Sequence, residues 1–451
     1  MYPSQSLIIK LSSFILFSIL WAVSFATWSQ DHSSIVFQNV RVFDSKNMIL
    51  SEPQNVLVVK NTIAQIDKAW TKEMRSAPIK IKGKGKTLIP GLIDVHVHLV
   101  FGSLSMVQMM SPGLNQELIL EKSGKGAEEM LLRGFTSVRD VGGPIFPLKR
   151  AIDQGKIQGP RVWPSGAVVS QTAGHGDFRT PDERSRQFFG PPSRAELFGA
   201  TFIADGKPEV LTAVRENLRF GASQIKLMAG GGTSSAYDPI DVTQYTLEEM
   251  EAAVEAAEDW GTYVTVHAYT DRAVQKAIKA GVKCIEHGQM VSEETLKLMA
   301  EKGIWLSLQN LMEDSPNMDP ARREKRKPVL EGQKKVWPLA KELGVQIAWG
   351  TDFLFEPELN KEQNAYILKL LEWFSPSEIL KMITFDNARL LSLSGNRSPY
   401  KGQLGEVSQG ALADLILVDG NPLEDISLLA QPEEKFLVIM KDGKLVKNKM
   451  N

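Results

Sequence analysis

The sequence predicts an α/β fold: a TIM (β/α)8 barrel with a small β-sandwich domain built from both chain ends. Two observations predict it. Between residues 89 and 395, short apolar strands alternate with amphipathic stretches of helical length, the pattern of parallel strands joined by helices. The two ends instead carry short strands that alternate apolar with polar residues and are separated by turn sequences.

The central region contains eight strand candidates, the number that a TIM barrel requires. They are Thr87–His98, Phe135–Val141, Arg161–Val169, Gln224–Ala229, Tyr263–His267, Cys284–His287, Ile304–Leu308 and Gln346–Gly350. Helix signals lie between them. Thr246–Trp260, for example, has two glutamates in its first turn and ends at Gly261, as capped helices do.

Further strand candidates lie near the two ends of the chain. They are Ile35–Phe43, Asn55–Lys60, Thr62–Asp67, Ala413–Val418 and Phe436–Lys441. We therefore expect four parts along the chain. These are a signal peptide at 1–26, the first part of the β-sandwich at 33–88, the barrel at 89–395 and the second part of the β-sandwich at 396–451.

The first 30 residues have the composition of a secretory signal. Lys10 precedes a mostly apolar run from Leu11 to Ala26, and Ser24-Phe25-Ala26 places small residues where a signal peptidase reads them. The run is short for a membrane span, although a retained anchor is the alternative. We expect cleavage, a secreted or periplasmic protein, and no stable membrane association afterwards.

Composition excludes several classes of protein. A net charge of −1 argues against a nucleic-acid binder, which would carry a basic face. Cys284 is the only cysteine, which excludes an intrachain disulfide and a cysteine-based zinc site. Its apolar neighbours predict a small buried side chain. A chain of 451 residues is long enough to be stabilised by a large core instead.

Five of the six histidines lie at or just beyond the C-terminal ends of strand candidates, where a TIM barrel keeps its active site. His96 and His98 are two apart on a strand and therefore point to the same face. His267 and His287 end the fifth and sixth strands, and Asp352 follows the eighth. Each is a weak signal alone. Four imidazoles and a carboxylate at one barrel mouth are typical ligands of zinc and similar divalent ions.

Lys226 lies in the fourth strand between apolar neighbours. A buried ammonium is costly unless it is paired, and beside cations it would lose its proton. The neutral amine can take up carbon dioxide and form a carbamate that bridges two metals. The alternative is an ion pair with Asp or Glu. For Arg139 and Asp140, which end the second strand, a structural ion pair and a substrate role both remain open.

These residues resemble the amidohydrolase superfamily in its form with two metals and a carboxylated lysine. The resemblance is carried by Pro90-Gly91-Leu92-Ile93-Asp94-Val95-His96-Val97-His98, Lys226, His267, His287 and Gly350-Thr351-Asp352. Further motifs are similar to its imidazolonepropionase-like branch, which holds Xaa-Pro and Xaa-Arg/Lys dipeptidases and ochratoxin-hydrolysing amidases. They are Gly174-His175-Gly176-Asp177, Gly230–Tyr237 with Asp238-Pro239, and His267-Ala268-Tyr269.

The resemblance implies a role for each residue. One metal would be held by His96, His98 and Asp352, the other by His267 and His287, with carboxylated Lys226 as the bridge. A hydroxide between the metals would be the nucleophile, and Asp352 would carry its proton to the leaving amine. His175 would hydrogen-bond the carbonyl oxygen, and Tyr269 would help to hold the substrate's terminal carboxylate. Zinc is the expected metal, with manganese and iron as alternatives.

We therefore expect a hydrolase that acts on a small molecule, cleaving the amide bond of a dipeptide or N-acyl amino acid beside a free carboxylate. A cyclic amide or imidazolone hydrolase is the alternative; Lys226 counts against it because that enzyme is mononuclear in the family pattern. A non-catalytic structural relative is disfavoured because no ligand is missing. Specificity is expected in the loops Val100–Asn115 and Pro181–Phe202, and a homo-oligomer remains open.

Overall fold

The computed structural model describes residues 34–235, 237–311 and 318–450. The predicted signal peptide at 1–26 and His32 lie outside the described residues, and secretion stays a prediction. Among the helices of the described residues, none is both long enough and apolar enough to cross a membrane.

Nineteen strands and fourteen α-helices are found in the described residues. The strands are β1 (Ser34–Asp44), β2 (Ile49–Leu50), β3 (Gln54–Val59), β4 (Thr62–Asp67), β5 (Ile79–Lys82), β6 (Thr87–Pro90), β7 (Leu92–Val97), β8 (Phe135–Asp140), β9 (Arg161–Pro164), β10 (Val168–Ser170), β11 (Thr201–Ile203), β12 (Ile225–Met228), β13 (Val264–Thr270), β14 (Cys284–Met290), β15 (Trp305–Gln309), β16 (Gln346–Gly350), β17 (Leu415–Val418), β18 (Phe436–Lys441) and β19 (Lys444–Asn448). The helices are α1 (Lys72–Ser76), α2 (Met106–Met110), α3 (Gln116–Leu132), α4 (Phe146–Asp153), α5 (Arg194–Leu197), α6 (Lys207–Phe220), α7 (Leu247–Asp259), α8 (Asp271–Ala280), α9 (Glu293–Lys302), α10 (Pro320–Glu342), α11 (Gln363–Leu368), α12 (Pro376–Lys381), α13 (Asn387–Ser392) and α14 (Pro432–Lys435).

The central strands run parallel in two sheets, with the orders β7-β8-β9 and β11-β10-β12-β13-β14-β15-β16. Backbone hydrogen bonds cross both seams between them. Ser223 N donates to Pro164 O (2.7 Å) before β12, and Asp352 N donates to His96 O (2.8 Å) after β16. The central region is thus α/β with parallel strands, whereas the predicted barrel is not found as one closed ladder among the described residues.

Two predicted strands are each divided in the structure. Arg161–Val169 is interrupted after Pro164, where Gly166 adopts a φ of 79° that a strand does not allow. Thr87–His98 is divided at Gly91, and its first part, β6, pairs with β1 and β17. A Cβ at Gly91 would lie 2.1 Å from Thr136 Oγ1, so only glycine permits this close approach of neighbouring strands.

Both chain ends contribute to one nine-stranded sheet. Its main order is β19-β18-β17-β6-β1-β3-β4, and β2 and β5 also pair with β1. The predicted β-sandwich is therefore observed as a single mixed sheet with its own apolar core, which includes Phe37, Val58, Leu88 and Leu417. The division of the chain at residues 88 and 395 stays a prediction.

The helices between the parallel strands have clear sequence causes. α7 begins with a capping box, in which the Thr246 side chain accepts from Glu249 N and the Glu249 side chain reaches back to Thr246 N. α8 and α9 end at Gly281 and Gly303, both in the left-handed conformation that glycine adopts without strain. The end of each helix determines where the following strand starts. It therefore also determines which side chains lie at the carboxyl end of that strand.

Candidate metal centre

One cavity of about 360 Å³ lies at the carboxyl ends of the parallel strands. The eight side chains to which the resemblance assigns a role all line it: His96, His98, His175, Lys226, His267, Tyr269, His287 and Asp352. They come from β7, β12, β13 and β14 and from the residues that follow β7, β10 and β16. The fold therefore brings together residues that are up to 256 positions apart (352 − 96).

Asp352 is at the centre of the cluster. Its Oδ1 lies 3.3 Å from Nε2 of both His96 and His98, and its Oδ2 lies 4.0 Å from Nε2 of His287. Ligand atoms of His96, His287 and Asp352 all lie within 4.8 Å of one another. Burial would raise the pKa of Asp352, but the neighbouring imidazoles hold it well below its usual range, so the side chain is a carboxylate.

The outer nitrogens of His96 and His98 are oriented by the protein. His96 Nδ1 donates to Glu286 Oε2 (2.8 Å), and His98 Nδ1 donates to Gly142 O (2.9 Å). Both Nε2 atoms therefore face the Asp352 carboxylate; burial would lower the pKa of His96, but the negative charge of Asp352 raises it. Two oriented imidazole nitrogens that converge on a carboxylate attract positive charge, so this donor set fits a cation.

His267 and His287 form the second half of the cluster, with ring centroids 4.6 Å apart. His267 Nε2 donates to Gly231 O (3.1 Å), whereas the buried Nδ1 of His287 has no hydrogen-bond partner among the described residues. Burial lowers the pKa of both rings well below the usual range. Both are therefore neutral, which is the form of imidazole that binds metals.

Lys226 is buried in β12, with 1% of its surface exposed. Burial lowers the pKa of its amine, although the Glu286 and Asp352 carboxylates oppose that shift. The structure records no hydrogen bond or ion pair between Lys226 and another described residue, so the alternative of a direct ion pair is not found. A buried amine with a lowered pKa is suited to carbamate formation because the neutral form is the reactive one.

Two ligand candidates occupy strained backbone positions. Asp352 has a φ of 56° and His287 a φ of 78°, in a region that residues other than glycine rarely adopt. Such conformations persist only where surrounding contacts enforce them. Here the bond from Asp352 N to His96 O (2.8 Å) and the bond from His287 N to Gln309 Oε1 (2.9 Å) do so.

His175 reaches the cluster from the loop after β10, and its ring stacks on His267 with centroids 4.1 Å apart. Its Nδ1 lies 2.8 Å from Ser235 Oγ and donates to Asp238 Oδ2 (3.2 Å). The glycine run before these residues has a steric cause, because a Cβ at Gly232 would lie 1.8 Å from His175 Cε1. The motif was visible in the sequence, but the role of Asp238 as the acceptor for His175 was not.

Tyr269 contacts the second half of the cluster, with its ring centroid 5.0 Å from those of both His267 and His287. Burial raises the pKa of its hydroxyl, which therefore stays protonated and able to donate. Arg322 and Arg326 of α10 line the same cavity, and Arg326 is 1% exposed. Sequence reasoning missed both, because they lie in a highly charged helix that resembles a solvated surface.

A buried ion pair lies beneath the cluster. Glu286 Oε1 accepts from Arg139 Nη2 (2.6 Å), while its Oε2 holds His96. Arg139 is fully buried and does not line the cavity, so the structural interpretation of this residue is favoured. Asp140 accepts from Leu99 N (2.8 Å), and burial raises its pKa to about 7. Sequence reasoning missed Glu286; a carboxylate inside an apolar strand, directly before His287, was the available signal.

Comparison with known proteins identifies the family of the chain. The model of the amidohydrolase family matches residues 87–446. The ochratoxinase of Aspergillus niger is 33% identical over 420 residues, covering 89% of this chain and 83% of that protein.

Two solved structures superpose on most of this chain. A prolidase complexed with N-methylphosphonate-L-proline superposes with a TM-score of 0.83 at 34% identity, covering 92% of this chain and 100% of that one. A Xaa-Pro dipeptidase with methionine bound in its active site superposes with a TM-score of 0.76 at 30% identity, covering 92% and 99%.

Proposed function

Because this chain belongs to the amidohydrolase family, we propose that it is a metal-dependent hydrolase of dipeptides or N-acyl amino acids, cleaving the amide bond beside a free carboxylate. The observation that carries the proposal is the single cavity in which four histidines, Asp352 and Lys226 meet. The relatives with the names ochratoxinase, prolidase and Xaa-Pro dipeptidase support it.

The donor set fits two divalent cations, with zinc expected from imidazole and carboxylate ligands. His96, His98 and Asp352 would hold one cation, His267 and His287 the other, and carboxylated Lys226 would bridge them. The two imidazole nitrogens that face Asp352 support this set, as does the Nδ1 of His287, which has no hydrogen-bond partner among the described residues. When bound, the cations would supply a water of lowered pKa and polarise the scissile carbonyl.

The protein's own groups would move the protons and orient the substrate. Asp352, a carboxylate at neutral pH, would accept a proton from the attacking water and return it to the leaving nitrogen. His175 would donate from Nε2 to the carbonyl oxygen as that oxygen gains charge. Asp238, 3.2 Å from Nδ1, would orient the ring for this contact.

The substrate's carboxylate would bind beside Tyr269. The protonated hydroxyl of Tyr269 and the guanidinium groups of Arg322 and Arg326 all border the cavity. Arginine forms paired, charge-assisted hydrogen bonds to carboxylates. These three residues favour a substrate with a free carboxylate over a neutral cyclic amide.

The test compares dipeptides and N-acyl amino acids with their C-terminal amides, measured by release of the amine from metal-supplemented protein. We expect turnover of the free acids and a loss of at least about tenfold in kcat/KM for the amides, since one charge-assisted contact contributes about 1.5–3 kcal/mol. Turnover of cyclic amides with none of the linear acids would overturn the proposal in favour of the imidazolone-type reaction.

We also propose that the two parallel sheets close into a TIM barrel, which the backbone bonds across both seams support. We propose in addition that the terminal sheet folds over as a β-sandwich, which the apolar core shared by strands from both chain ends supports. Residues 1–26 are proposed as a cleaved signal peptide that directs the chain out of the cytoplasm. N-terminal sequencing of exported protein tests this; a mature chain that retains Met1 would contradict it.

A further inference from the structure

One end of the cavity is lined by apolar side chains that the proposed reaction does not use. Phe101, Phe178 and Phe355, here called the aromatic cluster, line it together with Met106 and Leu354. The Phe101 ring centroid lies 6.4 Å from that of Phe178, edge to face, and 5.4 Å from that of Phe355. These are separations at which aromatic rings attract one another, so the three rings form one continuous surface.

The aromatic cluster is held next to the metal centre by the backbone. The Phe101 ring centroid lies 6.0 Å from that of His98, and Phe355 N donates to Phe101 O (2.9 Å). Asn360 Nδ2 donates to Gly102 O (2.6 Å) in the same place. These bonds join the segment after β7 to the segment after β16. Backbone contacts therefore hold Phe101 and Phe355 in place, and Phe178 joins them by packing its ring against Phe101.

The aromatic cluster is partly open to the cavity. Phe101 is buried and supports the other two rings, whereas Phe178 is 40% exposed and Phe355 is half-buried. A single exposed phenylalanine is common on protein surfaces. An exposed ring that packs against a buried ring in the wall of a cavity is instead typical of a ligand site, because a bound apolar group removes its surface from water.

The two ends of the cavity have different chemistry. Four histidine rings form a row between these ends, here called the histidine row. The ring centroids are 5.3 Å apart for His98 and His96, 5.2 Å for His96 and His287, and 4.6 Å for His287 and His267. Phe101 contacts the His98 end of this row, and Tyr269 contacts the His267 and His287 end.

The charged groups follow the same division. Arg326 of the cavity wall interacts electrostatically with Tyr269, whereas the residue after Phe355 is an acid, Glu356, which also lines the cavity. A carboxylate is therefore attracted to the tyrosine end and repelled from the aromatic end. An amide lying over the histidine row would direct its carboxylate to Tyr269 and its acyl group to the aromatic cluster.

We infer that the aromatic cluster is an acyl-side subsite, which selects substrates whose acyl group is aromatic or otherwise large and apolar. This inference rests on the proposed amide hydrolysis and specifies its substrate class. Phe178 contacts the acyl group, Phe355 forms a second wall of the subsite, and Phe101 supports both rings.

The experiment uses pairs of N-benzoyl and N-acetyl derivatives that share the same amino acid, over a panel of amino acids, with kcat/KM measured for each. We expect the metal-loaded protein to prefer the benzoyl member by about tenfold or more, the discrimination that an apolar pocket gives. Phe178→Ala should reduce the benzoyl-to-acetyl ratio by about tenfold, and Phe178→Tyr should preserve it.

The matched control is Phe220→Ala. Phe220 is 48% exposed, lies on α6 and does not line this cavity, so the ratio should stay at its wild-type value. Turnover of both members with equal kcat/KM, or equal losses on both in Phe178→Ala, would overturn the subsite and leave the proposed amide hydrolysis standing. Cleavage of dipeptides with turnover of neither member of any pair would overturn the subsite alone, whereas loss of both substrate classes would overturn the proposed function and the subsite with it.

Discussion

A single methyl group at Gly232 is expected to disable the site without touching any proposed metal ligand. The Cβ of Gly232→Ala would lie 1.8 Å from Cε1, 2.0 Å from Nδ1 and 2.6 Å from Nε2 of His175. The peptide at this position is held by the bond from Gly232 N to Asp238 Oδ2 (2.8 Å). The loop is therefore anchored, and the imidazole is the group that must move.

The size of the effect follows from the distance. Non-bonded carbon atoms approach to about 3.5 Å, so the ring must shift by roughly 1.5 Å. A misplacement of about 1 Å can reduce turnover by about a hundredfold, and removal of one donor to a developing oxyanion costs about 10²–10³ in kcat. We expect a fall in kcat within that range, with a smaller change in KM.

The assay measures kcat and KM on an N-acyl amino acid, with metal content and Tm determined on the same samples. Metal content should be unchanged, because His175 is not among the proposed ligands. The matched control is Gly230→Ala, two positions earlier, whose Cβ would meet Ala273 at an ordinary 3.4 Å. If Gly232→Ala kept kcat within about threefold of wild type, the proposed role of His175 would be refuted.

The remaining predictions concern the ligands and their support. Lys226→Ala should lose metal and activity together, with partial rescue by short carboxylic acids; full activity would exclude the bridge. Asp352→Asn should retain the fold, as measured by circular dichroism, and lose turnover; a variant with wild-type kcat would contradict its role in proton transfer. Glu286→Gln should destabilise the protein by about 3–5 kcal/mol in urea unfolding, because Arg139 is left buried without its counter-charge. An unchanged unfolding midpoint would show that this ion pair is not structural.

The grouping of the candidate ligands in one cavity could be predicted from the sequence because these residues mark strand ends. His267 and His287 close apolar runs, and parallel strands place their carboxyl ends together whatever the details of closure. The pattern of residues within each strand was therefore enough to predict that side chains distant in sequence lie close together. The membership of the amidohydrolase family, predicted from the same residues, is confirmed.

Other features of the fold and of the cavity depend on contacts between distant residues, which leave no pattern in the sequence around each residue. The break at Gly91 follows from the approach of Thr136, which lies 45 positions later (136 − 91). Arg326 is buried although it lies in a helix in which 11 of 23 residues are charged. The aromatic cluster joins residues from three separate segments of the chain, which follow β7, β10 and β16. Packing between distant segments, rather than the pattern within one, decides such features.

The bond from Asp352 N to His96 O has a consequence for how the active protein is made. It joins the end of β16 to the end of β7, so the cluster lacks its central carboxylate until most of the chain has been synthesised. Closure of the seam between β7 and β16 and binding of the proposed metal would then be linked equilibria, since a metal that binds only when this seam is closed stabilises the closed seam. If the proposed cation binds here, hydrogen exchange at the Asp352 amide should accelerate when the metal is removed, because the cation would join the first and last parallel strands of the central region.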